Sequence, residues 1–272
     1  MATQTEKAEQ FLALHHGKSP LLMPNAWDLG SAKLLASLGF KAIATTSSGF
    51  AATLGQLDGT LTREEAIAHS AAIVGATELP VSADLENLYA EDLDGVAETV
   101  RLAIGAGLAG CSIEDYSGGP DARIYDHGLA KERVAAAAEA AHDGPVRLVL
   151  TARAENHIRG NPDLADTIAR LRSYADAGAD VVYAPGITKY GELRELVASV
   201  DRPVNVLALP GVPPVGELAQ IGVKRVSVGG AFAFAALGAL AEAGRELLEH
   251  GSYGYWELAR PGSAKARNAF KP

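Results

Sequence analysis

The sequence predicts an α/β chain folded as a closed (β/α)8 TIM barrel with C-terminal helices, and three observations carry that prediction. Eight short runs rich in Val, Ile and Leu recur along the 272 residues without a polar face, as the strands of a parallel sheet buried on both sides require. Each run is followed by a segment with helical spacing, and most of these close at Gly or Ala-Gly shortly before the next run. Eight such units in about 230 residues match the size of a closed barrel. An open doubly wound sheet would have fewer strands and a glycine fingerprint near its start, and the chain has none there. We read residues 1–272 as one domain, with about 231–272 expected in subunit contacts.

A helix over 7–16 offers Phe11, Leu12 and Leu14 to the core. The first strand, Leu21-Leu22-Met23, stops at Pro24-Asn25. Asp28 or Asn25 then caps a helix through Ser31 and Ala36 that ends at Gly39. The second strand, 42–46, runs into Ser47-Ser48-Gly49 and a long loop holding Gly55, Asp58 and Gly59. Thr62 with Glu65 three residues on is a capping box opening the helix 66–74. The beat repeats as strand 81–85 and helix 93–106. Strand 110–113 follows, then a Gly/Pro/Asp loop over 116–128 and helix 130–142. Strand 147–152 pairs with helix 163–177, strand 181–183 with helix 189–198, and strand 204–208 with helix 214–221. Strand 226–228 leads through Gly229-Gly230 into a long helix over 232–249, whose apolar surface, with Tyr253, Tyr255 and Trp256, suits a subunit contact.

Composition narrows the function classes. The net charge is −9 and no Lys/Arg cluster occurs, which disfavours nucleic-acid and anionic-membrane surfaces. A lone cysteine, Cys111, excludes an intrachain disulfide, and its place inside a strand favours an inert core thiol over a nucleophile. The polar N-terminus has no apolar segment after it and no run reaches 18 apolar residues, so we expect a soluble, cytoplasmic protein.

In a barrel the C-terminal strand ends share one rim. Here that rim gathers Asn25, Trp27 and Asp28, then Thr46, Ser47 and Ser48, then Asp84 and Glu86. Glu114 and Asp115 follow, and then Thr151, Arg153, Glu155 and Asn156. Asp84 and Glu86, two apart on a strand, are expected on one face, with Glu114 on the neighbouring strand. Three acids at buried strand ends would suffer desolvation and mutual repulsion, which a hard divalent cation relieves. Mg2+ is expected, with Mn2+ the alternative, bound directly by Asp84 and through water by Glu86 and Glu114. Arg153 needs an anion, either a substrate carboxylate or phosphoryl group, or Glu155 or Asp180 of the protein. The amides of the Thr46-Ser47-Ser48-Gly49 turn suit a carboxylate or oxyanion. Asp58 lies in a loop able to fold over the pocket. Tyr125 and His127 lie in the 116–128 loop, a candidate lid with Pro120, and His157 and Arg159 lie in a polar loop after strand five.

Several of these stretches carry a resemblance. They are Pro24-Asn25-Ala26-Trp27-Asp28, Leu54-Gly55-Gln56-Leu57-Asp58, Ala83-Asp84-Leu85-Glu86, Ile113-Glu114-Asp115 and Thr151-Ala152-Arg153-Ala154-Glu155. From about residue 11 to 256 the chain resembles the isocitrate lyase and phosphoenolpyruvate mutase superfamily. The resemblance implies a barrel that binds Mg2+ and a small α-oxo acid or its enolate, with Asp84, Glu86 and Glu114 at the metal. Thr46, Ser47, Ser48 and Arg153 would surround the substrate, with Trp27, Asp28, Arg123 and His157 as further binding candidates. It also implies a homo-oligomer, dimer or tetramer, that exchanges a C-terminal helix.

Two departures shape the expected chemistry. The Lys-Arg-Cys-Gly-His segment of the lyase branch is missing from the loop after strand four, and so are the Lys and Asn of the phosphonate branch. The family's Asp-x-Asp is Asp84-x-Glu86 here, and its serine is Thr46. The first expectation is C–C bond cleavage of a small α-oxo acid or 2-hydroxy di- or tricarboxylate through an enolate, by a lyase, decarboxylase or oxo-acid hydrolase. Thr46, Asp58 and Arg153 would then be catalytic, with Tyr125, Asp126 or His127 in place of the absent Cys. The alternatives are phosphonate chemistry using Arg123, His157 and Arg159, and a ligand-binding barrel without catalysis.

Overall fold

The computed structural model describes residues 2–118 and 122–271. Among these residues nine parallel strand segments make one sheet: β1 (Leu21–Met23), β2 (Asn25–Ala26), β3 (Ile43–Thr45), β4 (Val81–Ala83), β5 (Gly110–Glu114), β6 (Val149–Arg153), β7 (Val181–Tyr183), β8 (Val204–Leu207) and β9 (Arg225–Ser227). Their order is β1-β9-β8-β7-β6-β5-β4-β3-β2. The first two segments are one stave interrupted at Pro24. β1 pairs with β9, and after the proline β2 pairs with β3, so the stave changes partner and the sheet closes. Proline has no N–H to give a ladder, yet its carbonyl still accepts from Ala44 N at 2.9 Å.

The side chain of Asn25 seals this seam. Its Nδ2 donates to Thr45 O at 2.7 Å, while its Oδ1 accepts from Val228 N and Gly229 N at 3.0 and 2.9 Å. The rim residue expected from sequence is therefore a clip holding β3 and the end of β9 to the first stave.

Helices alternate with the strands: α1 (Gln4–Leu14), α2 (Leu29–Ser37), α3 (Ser47–Thr53), α4 (Arg63–Ala76), α5 (Leu93–Gly105), α6 (His127–His142), α7 (Leu164–Asp176), α8 (Tyr190–Ser199), α9 (Val215–Gln220), α10 (Ala231–His250) and α11 (Trp256–Ala269). Capping boxes open α1 at Thr3 and Glu6 and α4 at Thr62 and Glu65. The main apolar core lies between strands and helices. A second one, with Leu21, Met23, Ala42, Ala44, Val149 and Val181, fills the lower barrel and is plugged by Ala8 and Phe11 of α1. A Cβ on Gly110 would meet Phe11 at 2.8 Å, so a bare glycine lets the plug seat.

One helix departs from the sequence expectation, and another is an expected C-terminal helix formed against its local signals. The short α3 occupies the start of what reads as a loop, nucleated by Thr46, whose Oγ1 accepts from Gly49 N at 3.3 Å. α11 contains Pro261 and Gly262 and buries no residue; it lies along α2, with Phe270 against Gly30. α10 leaves Phe232, Phe234, Leu237, Leu240, Leu247 and Leu248 exposed. Cys111 is fully buried and its thiol pushed up to about 12 by burial, as an inert core residue should be. Among the described residues, no helix is long and apolar enough to cross a membrane.

Candidate active site

A cavity of about 700 Å³ opens at the C-terminal ends of the strands. Thr46, Ser47 and Ser48 line one wall, Asp84, Glu86, Ser112 and Glu114 the next, and Arg153, Glu155 and Tyr183 the far side. Asp58 and Arg159 stand at its mouth with Tyr116, and Arg225 lies at its floor.

Asp84 leaves the end of β4 and is held from both sides. Its Oδ1 accepts from Arg153 Nη1 at 3.0 Å and its Oδ2 from Ser47 N at 3.2 Å. Ser47 Oγ lies 3.1 Å from both Asp84 Oδ2 and Asp58 Oδ1 and can donate to one at a time. The amide expected to receive an oxyanion is thus already bonded to Asp84.

Glu86 reaches the same cavity by a different route from the one expected. β4 ends at Ala83, and Glu86, Leu88 and Tyr89 have φ of 49°, 63° and 53°. The pleat does not carry Glu86 to the face of Asp84; a left-handed turn does. Such backbone is strained for residues with a Cβ and persists only where its surroundings over-determine it. Here Tyr89 N donates to Asn87 Oδ1, and Arg133 donates to the carbonyls of Asn87, Ala90 and Glu91 at 2.7, 2.7 and 2.8 Å.

The charges are crowded. Burial, then Asp84 and Asp58, pushes the Glu86 carboxyl up to about 7. Burial and Asp84 raise Asp58. Burial and Glu155 hold Glu114 well above the ordinary carboxylate range, against the pull of Arg153. Arg153 contacts Asp84, Glu114 and Glu155 at 3.0, 3.1 and 2.9 Å and stacks over the Tyr183 ring at 5.0 Å. Its anion therefore comes from the protein, and Asp180 is not part of it: that acid pairs with Arg147 and His142 at the opposite strand ends. Arg159 stacks on Tyr116 at 3.8 Å and lies 3.4 Å from Glu155, tying two loops across the mouth.

Of the residues singled out from sequence, Thr46, Ser47, Ser48, Asp58, Asp84, Glu86, Glu114 and Arg153 share this cavity. Others stand outside its lining. Asp28 caps α2, accepting from Ser31 N at 2.6 Å, and Trp27 packs beside Gly49 of α3. Tyr125 is buried behind the wall, where its hydroxyl accepts from Asn87 Nδ2 and donates to Glu91, each near 3 Å, and its ring lies under Arg133. His127 bonds Ser173 Oγ at 2.8 Å, joining α6 to α7. Arg123 is exposed, and its backbone pairs with Ser117. His157 is half-buried beside Gly186. Asp126, the third stand-in for the absent Cys, caps α6 at Gly128 N. The lid expectation falls partly on residues 119–121, which lie outside the described residues; Gly118 and Ala122 flank them at the mouth.

Sequence reading passed over Tyr116, Tyr183, Ser112 and Arg225. Ser112, Tyr183 and Arg225 lie within strands, and Tyr116 lies two residues past the end of β5. Ser112 could have been found by counting back two from Glu114, as the pleat dictates. Arg225 opens β9, one residue before the strand expected over 226–228.

The chain matches the family model described as phosphoenolpyruvate phosphomutase over residues 11–248. A crystal structure of a lyase/mutase candidate from Burkholderia cenocepacia J2315 is 48% identical, with a TM-score of 0.95 over 99% of this chain and 97% of that one. An uncharacterized protein of Mycobacterium tuberculosis is 35% identical over 86% of this chain and 87% of its own length. Oxaloacetate decarboxylase of Chromohalobacter salexigens is 29% identical over 90% of this chain and 88% of its own length.

Proposed function

The chain belongs to the phosphoenolpyruvate phosphomutase family, as a divergent member whose one Cys is buried in the core, and from that premise we propose a Mg2+-dependent enzyme that cleaves a C–C bond of a small α-oxo acid or 2-hydroxy di- or tricarboxylate through an enolate. The observation that carries this reading is the charge of the cavity: among the described residues five carboxylates, Asp58, Asp84, Glu86, Glu114 and Glu155, face three guanidiniums, Arg153, Arg159 and Arg225. That surplus of negative charge suits a divalent cation. Among the described residues no three His, Cys, Asp or Glu side chains converge into a metal cage. Mg2+ does not need one, since it is ordinarily held by one or two carboxylates together with water and substrate. Asp84 would hold the ion directly, with Glu86 and Glu114 acting through its water, and the ion would supply positive charge to an oxo acid as its enolate develops.

The chain's own residues do the rest. Arg153 fixes Asp84 and Glu114 relative to each other, and the Ser47 amide fixes Asp84 from the other side. Tyr116 and Tyr183 are the phenols in the cavity wall, and they replace Tyr125 and His127 as groups able to return a proton to the substrate. The likeness to an oxaloacetate decarboxylase supports decarboxylation as the first reaction to assay. Phosphonate chemistry is less well supported, because of Arg123, His157 and Arg159 only the last lines the cavity. The exposed apolar side chains of α10 and α11 are the surface through which we expect copies to associate, checked by light scattering on a sizing column.

The test is a panel of oxaloacetate, 2-methylisocitrate, 2,3-dimethylmalate and phosphonopyruvate with Mg2+, reading pyruvate or phosphoenolpyruvate. C–C cleavage predicts pyruvate from one of the first three, or oxalate and acetate from oxaloacetate if water takes up the acyl group, lost on chelation and lowered by at least about 10³-fold in Asp84→Ala. Turnover of phosphonopyruvate alone would move the assignment to the phosphonate branch. An Asp84→Ala rate equal to wild type would remove the metal assignment.

A further inference from the structure

The acids at the cavity rim consume Arg153, which leaves open what recognises a substrate's own negative charge. At the floor, Arg225 is 3% exposed, and among the described residues no carboxylate lies within ion-pair distance of it. Its partners are all neutral acceptors. Nε donates to Asn205 Oδ1 at 2.8 Å, and Nη1 donates to Thr151 Oγ1 at 3.0 Å and faces His15 Nε2 at 3.3 Å. The ring of His15 is fixed in the accepting tautomer, because its Nδ1 donates to Phe11 O at 2.8 Å. Nη2 makes no protein hydrogen bond among the described residues and is not one of the sealed polar atoms that lack a partner. The residue lines the cavity, so this nitrogen is the part of the guanidinium left to it.

A buried guanidinium without a counter-charge is expensive, and an anion brought to it gains what the protein withholds. Burial weakens its hold on its proton, to about 9, a loss an anion would reverse.

We propose that Arg225 sets substrate specificity by taking a second carboxylate, distal to the oxo-acid head, at the floor of the cavity. The inference rests on the oxo-acid reading above. A carboxylate suits the site better than a phosphoryl dianion, because Nε and Nη1 are already engaged and one nitrogen remains to donate. Thr151, Asn205 and His15 are then positioning residues, holding the guanidinium plane so that Nη2 faces upward.

The test measures dissociation constants by calorimetry, with Mg2+ present, for two pairs that differ only in the distal group: oxaloacetate against 2-oxobutyrate, and succinate against butyrate. Wild type is expected to bind each dicarboxylate about 10- to 100-fold more tightly than its methyl-ended counterpart, the range of a charge-assisted hydrogen bond. Arg225→Gln should bring each pair to within about threefold and leave the two monocarboxylates unchanged. Discrimination that survives in Arg225→Gln overturns the proposal, as does a uniform loss across all four ligands or a wild type that binds none of them. The oxo-acid reading is judged by the other comparison, oxaloacetate against succinate, so either idea can fail while the other stands. Should Arg225→Gln prove unfolded by circular dichroism, wild-type crystals soaked in succinate decide. A carboxylate within about 3 Å of Nη2 supports the assignment, and one bound only at the rim overturns it.

Discussion

Tyr125 shows what a single residue's neighbours add to its place in the chain. By position it belongs to the loop where the family resemblance implies an acid/base group, and a phenol there reads as a replacement. Its hydroxyl is spent on Asn87 and Glu91, and its ring supports Arg133. Tyr125→Phe should therefore lower stability by about 1–2 kcal/mol in urea unfolding and leave kcat within about threefold. A general acid would lose about 10²-fold or more on the same change, so kcat alone separates the two roles. The acids Asp84 and Glu114 were legible because strand ends and carboxylates are both local signals. Arg153 was legible as a cation that needs an anion. Which anion it takes depends on three residues from three strands, and no spacing encodes that.

Among the elements, the turn after β4 is the one the sequence hides best. Glu86, Leu88 and Tyr89 are not glycines and carry no mark of left-handed backbone, and the spacing of Asp84 and Glu86 alone points to the alternation of a strand. The conformation is imposed from α6, forty-odd residues away, where the buried Arg133 gathers three carbonyls that the turn throws to one side. Arg133→Met should cost about 3 kcal/mol or more, since it strands those carbonyls without a donor. The same change should reduce kcat more than it raises KM, because Glu86 loses its fixed place. Denaturant titration and steady-state kinetics on one preparation would check both. α11 is the reverse case: Pro261 and Gly262 argue locally against a helix, and contact with α2 prevails.

For the molecule as a whole, the eightfold beat of strand and helix was readable because buried strands and glycine stops are properties of short windows. The partner change at Pro24 was not, since closure is a relation between the first stave and the last. The plug helix likewise sets a property of the entire fold, its tolerance of acid. His15 is buried against Arg225, with Asp180 and His16 farther off, and desolvation with the Arg225 charge pushes it down to about 3. Unfolding returns it to about 6.5, so below that pH the unfolded chain binds the extra proton. Stability from this site is complete above pH 6.5 and falls by up to about 1.4 kcal/mol per unit as pH drops toward 3. His15→Gln should flatten the pH dependence of unfolding in that window, and an unchanged slope would assign acid sensitivity elsewhere. The Asn25 clip has a consequence of another kind. A ring of strands has no edges, and edges are where chains template one another into aggregates. Asn25→Asp sets a carboxylate oxygen against Thr45 O, so the hoop should spring at that joint and bare the flanks of two strands. Turbidity growing with protein concentration, while the ellipticity of the helices is kept, would be the sign of it.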